Sequence, residues 1–405
     1  MRKKILVIAA FVLVSLGAKS QIEGLKIQGY LQTQAEMAGK DGSTRTGDAW
    51  SAAKDGDGDN YWRYGVRRWR FRTIYTKGIA KGVFELNITE SGVSPMLAYM
   101  QLDPLSWLSI QAGVINDYYG DELMYPSNAI EALERTNLTL NMFPVEHDLG
   151  MKVTLKAPKE SNFAGLKLDL GLLGGNAISK TPDGRINFLG HLKYDHTTAD
   201  NLTYGLGFSY YRGTVNNTSD VFYSVSDEVN QATGYKYWGA ESVKANEKNK
   251  REYFGVDAQF KFFTSWGKSN FRGEFQWGTQ PSTLASMNAP QKGNAYSGDS
   301  FAYNRKFMGW HLYYIQDIYH TPLSLVLKYA HADNNTEMDV DDIANAGSQY
   351  SRADLAYDNF GFGLLWNITD YLRATAFYDI YSNETNDVID DYKDNRLTIR
   401  LQYKF

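Results

Sequence analysis

Apolar and polar side chains alternate along most of this chain with a period of two. In LKIQGYLQTQAE (25–36), Leu25, Ile27 and Leu31 share one face, and Lys26, Gln28, Gln32, Gln34 and Glu36 share the other. RLTIRLQYKF (396–405) repeats the pattern, with Leu397, Ile399, Leu401, Tyr403 and Phe405 opposite Arg396, Thr398, Arg400, Gln402 and Lys404. Such alternation predicts strands whose two faces meet different surroundings. Between these two lie VRRWRFRTIY, VFELNITE, MLAYMQLD, WLSIQAGV, LGMKVTLKA, LKLDLGLLG, RINFLGHLKYDH, LTYGLGFSYYR, EYFGVDAQFKFF, NFRGEFQWG, YNRKFMGWHLYYIQ, LSLVLKYAH, DNFGFGLLWN and LRATAFYDIY. The count is about 16 strands, and an even number returns both ends to one side of a closed barrel.

The connections sort by length. TKGIAKG, DPLSW, KESNFAG, HTTADN, FTSWGK, YHTPL and NITDY are tight turns. Those at 37–60, 116–147, 214–250, 281–300, 333–352 and 383–394 are mostly long, polar and acidic. Short periplasmic turns facing long extracellular loops are the signature of a transmembrane antiparallel β-barrel of the outer membrane. A soluble sandwich or propeller gives no such sorting, and no blade or solenoid repeat is present. The expected fold class is therefore all-β, a closed barrel over 21–405.

The first residues agree. Arg2, Lys3 and Lys4 precede an apolar run from Ile5 to Leu16, with Ala18 and Ser20 before Gln21. This is the pattern of a signal peptide over 1–20, and the run is too short to span a bilayer as a helix. Localisation to the outer membrane of a Gram-negative bacterium follows, with outer-membrane lipid and lipopolysaccharide as surroundings. Without Arg2, Lys3, Lys4 and Lys19, the 42 basic residues become 38 against 46 acidic, a formal charge of −8. Cysteine is absent, which excludes disulfides, thiolate metal sites and a Cys nucleophile. The 29 Tyr, 20 Phe and 9 Trp, with a mean hydropathy of −0.44, suit a wet interior and aromatic rims.

The water-facing parity reverses the sign of the chain. It carries Lys26, Arg68, Arg70, Arg72, Lys152, Lys156, Lys167, Arg185, Lys193, Lys261, Arg272, Lys328, Arg373, Arg396, Arg400 and Lys404. Only Glu36, Glu85, Asp103, Asp169, Asp195, Asp257, Glu274 and Asp379 oppose them. A basic lumen concentrates anions. Arg68, Arg70, Arg72, Lys152, Arg272 and Arg373 are the candidate pore-lining, anion-binding residues. Arg68, Arg70 and Arg72 lie on one side of RRWRFR (67–72), where three guanidiniums in file suit the relay of an anion. The plainer alternative is pairing with wall acids such as Glu85. Nucleic acid is not an expected partner, because Trp69 and Phe71 point away from the cations.

Residues 66–157 resemble the phosphate-selective porin O and P family. The resemblance rests on VRRWRFRTIYTKGIAKGVFELN, WLSIQAGV, PSNAIEALERTNL and MFPVEHDLGMKV in that order. It implies sixteen strands, a homotrimer, and a third loop, here 116–147, folded inward as a constriction. In that loop AIEALERTN places Ala129, Ala132 and Leu133 at helical spacing, predicting a short helix with Glu131, Glu134 and Arg135 toward the passage. Two positions depart from the family: Asn116 stands where it often has Lys, and His147 where it often has Arg. A terminal aromatic such as Phe405 resembles the signal read by the barrel-assembly machinery.

Other motifs carry less. Asp55, Asp57 and Asp59 begin like a calcium loop, but Asn60 and Val66 occupy the positions that require Gly and Glu. No HExxH, GxSxG or P-loop occurs, so no enzyme, cofactor or further metal is expected. The sequence thus predicts a passive porin for small hydrophilic solutes with anion preference. The rivals are an oligosaccharide channel, with Tyr30, Tyr99, Tyr118 and Tyr119 for stacking, and a non-channel barrel acting as adhesin or enzyme.

Overall fold

The computed structural model describes residues 23–45, 60–175, 186–217, 219–243, 248–289, 295–296 and 302–405. The signal peptide expected over 1–20, and Asp55, Asp57, Asp59 and Arg185, lie outside the described residues.

The strands are β1 (Leu25–Gly39), β2 (Asn60–Lys77), β3 (Ala80–Thr89), β4 (Gly92–Leu105), β5 (Leu108–Asn116), β6 (His147–Lys156), β7 (Leu166–Leu173), β8 (Asn187–Thr197), β9 (Thr203–Asn217), β10 (Val221–Val225), β11 (Trp238–Ser242), β12 (Lys248–Thr264), β13 (Gly267–Ser282), β14 (Ala295–Tyr296), β15 (Ala302–Asp317), β16 (Leu323–Asp333), β17 (Tyr357–Asn367), β18 (Leu372–Asn383) and β19 (Arg396–Lys404). Short helices are α1 (Gly120–Met124), α2 (Asn137–Met142) and α3 (Val340–Ala344).

Without β10, β11 and β14, the strands form a closed antiparallel barrel of 16. Closure joins β1 to β19, from Tyr30 opposite Lys404 to Ala38 opposite Arg396. Each of the sixteen alternating segments is one wall strand, and the seven tight turns all lie at the same end. Closure leaves no open sheet edge in the wall.

The two faces are inverted relative to a soluble protein. Outward side chains such as Leu206, Phe275, Leu312, Phe360 and Ile399 are apolar and exposed, while Arg305, Arg400, Gln32 and Asp169 are buried inside. That is the distribution expected where hydrocarbon lies outside.

Strict alternation breaks at three register shifts among the described strands, and the one in β2 shapes the basic wall of the lumen. The register of β1 with β2 shifts between Gln32 and Thr33, so that Gln32 faces Arg68 and Thr33 faces Val66. Arg67 is the extra residue of a β-bulge, which turns two consecutive arginines inward. At the long-loop end, β10, β11, α3 and the segment around Ile389 add a small core of Trp238, Tyr303, Met338, Ile343, Leu355 and Ile389. Arg305 fastens it, pairing with Asp354 at 2.7 Å and donating to the Thr283 and Leu284 carbonyls. Loop composition alone did not predict this cap.

Candidate functional site

The loop between β5 and β6 lies inside the barrel. Its apolar side chains drive it there: Tyr118, Tyr119, Leu123, Leu138, Met142 and Phe143 pack with wall residues Leu173, Leu189, Tyr211, Tyr253 and Phe307. Phe143 meets Tyr211 and Tyr253 edge-on at 5.7 and 5.8 Å. Gly171 makes room for this packing, because a Cβ there would collide with the Tyr118 hydroxyl.

Polar contacts then fix the loop's height and rotation. Glu134 meets Arg67 at 2.8 Å and Arg68 at 3.2 Å, and also pairs with Arg400. Glu131 meets Arg272 at 2.6 Å, and Asp121 pairs with Lys193. The wall carboxylate Glu274 accepts from the backbone N–H groups of Asp121 and Glu122, each at 3.1 Å. Arg135 holds the loop to itself, reaching Glu146 at 2.8 Å and the carbonyls of Glu122, Leu123 and Tyr125. Arg373 donates to the Ile130 carbonyl at 3.3 Å. Truncating one member of a buried, hydrogen-bonded pair costs roughly 3–5 kcal/mol, so the clasp around Glu134 is a firm one.

These contacts correct three expectations. Residues 129–136 form turns rather than a helix; Leu133 has φ 68°, which ends helical winding, and the helices sit on either side at 120–124 and 137–142. Glu131, Glu134 and Arg135 turn to the wall or to the loop's own backbone, not to open water. Asn116, directly opposite His147 at the end of β5, is exposed and brings no charge to that position. Tyr30, Tyr118 and Tyr119 are buried, which removes three of the four rings proposed for sugar stacking.

The six proposed anion-binding residues separate into two groups. Arg68, Arg272 and Arg373 are buried under the loop. Arg70 and Arg72 stand on the wall across from it, sharing Glu85, with Arg70 at 3.5 Å. Lys152 joins them, 3.6 Å from Asp169 and 4.5 Å from the Tyr118 ring centre. Exposure distinguishes the groups: the Arg70, Arg72 and Lys152 side chains are 13%, 33% and 16% exposed, against 4% for Arg68 and Arg272.

Beside this wall lies a cavity of about 670 Å³. Arg45, Arg67, Arg68 and Arg70 line one side, and Leu140, Pro144, Glu146 and His147 of the loop region line the other. His147 is thus among the residues lining this cavity. Arg45 and Arg67 are additions. Arg67 was missed because a bulge is invisible to parity, although the Arg67–Arg68 doublet hinted at it. Among the described residues no cluster of His, Asp or Glu is arranged to hold a metal.

No family model matches the chain, and a comparison with curated proteins finds no match. Solved structures do match over most of its length. The anion-selective porin from Comamonas acidovorans aligns with a TM-score of 0.53 at 11% identity, covering 94% of this chain and 99% of that one. OprB of Pseudomonas putida aligns with 0.56 at 10% identity, covering 94% of each. The outer membrane channel DcaP of Acinetobacter baumannii aligns with 0.52 at 14% identity, covering 94% and 97%. At such identities the likeness is one of fold, and that fold is the sixteen-stranded outer-membrane barrel.

Proposed function

We propose that the protein is a passive channel of the Gram-negative outer membrane for small hydrophilic solutes, with a preference for anions. The observation that carries this reading is the cavity bounded by Arg45, Arg67, Arg68 and Arg70, next to the partly exposed Arg72, Lys152 and Lys167. The carboxylates on this wall, Glu85 and Asp169, are each shared by two cations, so the surface keeps a positive surplus. Fixed cations at a narrowing favour anions by raising their local concentration, and the solute gradient supplies the driving force. Phosphate is not singled out, since Asn116 and His147 stand where the family it resembles often has Lys and Arg. The anion-selective porin with the same fold is in keeping with this reading. Assembly as a homotrimer belongs to it too; the small outward residues Gly82, Ala98 and Ala112 on β3–β5 leave a recess where a neighbouring barrel fits. Planar-bilayer recording under a KCl gradient tests the channel. A chloride-favouring reversal potential is expected, whereas one favouring K⁺ overturns the preference and absence of conductance overturns the channel.

A further inference from the structure

The outward face of β9, β12, β13 and β15 differs from the rest of the wall. Among the described strand residues, the outward-facing Lys and Arg of the long-loop half are Arg212, Lys248, Lys250 and Lys306, all on three of these four strands. Hydrogen-bond register places Arg212, Glu252, Thr279 and Lys306 in one lateral row. The next row toward the membrane is Tyr210, Phe254, Trp277 and Met308, in which Phe254 stacks on Trp277 at 5.4 Å and contacts Tyr210 at 5.0 Å. Phe208, Val256, Phe275 and Trp310 follow, and then Leu206, Ala258, Gly273 and Leu312. Two small residues in the centre of that last row, with Tyr204, Phe260, Phe271 and Tyr314 below, leave an apolar recess of about 790 Å³ on the lipid-facing surface.

We propose that this face is a docking site for a lipid of the lipid A class, with phosphate on its headgroup and several acyl chains. Four features favour that occupant. The cations stand at the long-loop end, where the phosphates of an outer-leaflet headgroup lie. Four of them meet two contacting carboxylates, Glu252 with Lys250 and Glu337 with Lys306, which leaves a positive surplus. Six residues of tilted strand separate the Glu252 row from the Ala258 row, about 20 Å along the chain and roughly 14 Å in depth. That depth is about half the apolar band, the reach of one leaflet's acyl chains. The aromatic row between them sits at the interface, where Tyr and Trp are favoured.

The full-length protein in detergent micelles is titrated with bisphosphorylated lipid A, its dephosphorylated form, and sodium pyrophosphate, with binding read by native mass spectrometry. Bisphosphorylated lipid A is expected to bind more tightly than the dephosphorylated form by at least about tenfold, since each basic residue near a membrane surface contributes about fivefold. Arg212→Gln, Lys250→Gln and Lys306→Gln together should erase that discrimination. Lys306→Gln alone, at a side chain that is 63% exposed, should lower it about fivefold without touching the fold. Ala258→Phe should weaken both lipids and leave pyrophosphate unchanged. Equal binding of the two lipids overturns the proposal, as does pyrophosphate binding as tight as that of lipid A. Loss of an oligomer instead of lipid in Ala258→Phe gives the face to a second copy of the chain, and overturns it as well.

Discussion

Glu134 accepts both arms of the Arg67 guanidinium, Nε at 2.8 Å and Nη2 at 2.9 Å, joining the inward loop to the bulge of a wall strand. Arg68 and Arg400 close on the same carboxylate. Glu134→Gln keeps the shape and removes the charge, leaving the buried Arg68 and Arg400 and the half-buried Arg67 without their anion. The expected cost is several kcal/mol of loop anchoring, about 3–5 for a broken buried pair. Single-channel recording should show a larger and noisier conductance, with anion preference increased. A conductance trace like that of the unaltered protein would mean that the apolar cluster around Phe143 holds the loop unaided.

Selectivity should separate the two groups of cations. A charge about 5 Å from a permeating ion in water contributes about 0.8 kcal/mol, roughly fourfold in permeability ratio. Arg70→Gln, Arg72→Gln and Lys152→Gln each remove a partly exposed charge, so each should lower the chloride-to-potassium ratio by up to about that factor. Arg272→Gln removes a buried charge already matched by Glu131, so it should disturb loop stability more than ion ratio. Reversal potentials for the four variants, with protease sensitivity of the loop alongside, give the comparison. If Arg272→Gln shifts selectivity most, the passage runs along the other wall.

The fold was largely legible in the sequence, because a barrel wall is governed by local rules. Parity alone assigned Leu397, Ile399 and Leu401 to lipid and Arg396 and Arg400 to the lumen, since neighbouring positions meet different solvents. The site was legible only in part. Arg67 escaped because a bulge suspends parity for one residue. The helix expected at 129–137 failed because the loop's conformation answers to distant wall groups: Arg400 reaches the Leu133 carbonyl across 267 residues of sequence. Trp238, Tyr303 and Arg305 form a cap from segments that look like separate polar loops when read singly.

Barrel closure offers a sharper test. Gly29 and Phe405 exchange backbone hydrogen bonds at 3.0 and 3.1 Å, and the Phe405 ring lies over Gly29, 6.5 Å from the Phe71 ring. A Cβ at Gly29 would run into both that ring and the Arg70 carbonyl. Gly29→Val should therefore impair closure of β1 on β19, with loss of the heat-modifiable folded band on electrophoresis. Ile27→Val, two residues away on an outward-facing side chain, should leave that band intact. Equal yields of folded protein from the two variants would remove the closure role from Gly29.

The loop's carboxyl groups set its response to pH with two opposite signs. Burial by itself would raise Glu122, but His311 and hydrogen bonds from Thr139, Tyr313 and Thr136 more than offset it and hold the group at about 2. Burial is likewise outweighed at Glu134, where Arg67, Arg68 and Arg400 keep the carboxyl well below the usual range. Both are depressed in the folded protein, so their contribution is complete above about 4.5 and is lost as pH falls, for Glu122 toward about 2. Asp117, at the loop's stem, goes the other way: burial first and then Asp148 push it well above its usual value, with Arg251 opposing. A raised carboxyl disfavours the folded state increasingly as pH climbs above the usual 3.8, because the unfolded chain gives up its proton more readily. Asp117→Asn should therefore stabilise the loop at pH 7 and make little difference at pH 3. Hydrogen exchange of the loop amides at the two pH values measures this directly. Destabilisation at pH 7 by Asp117→Asn would show that the ionised group is wanted there, as a partner for Arg251.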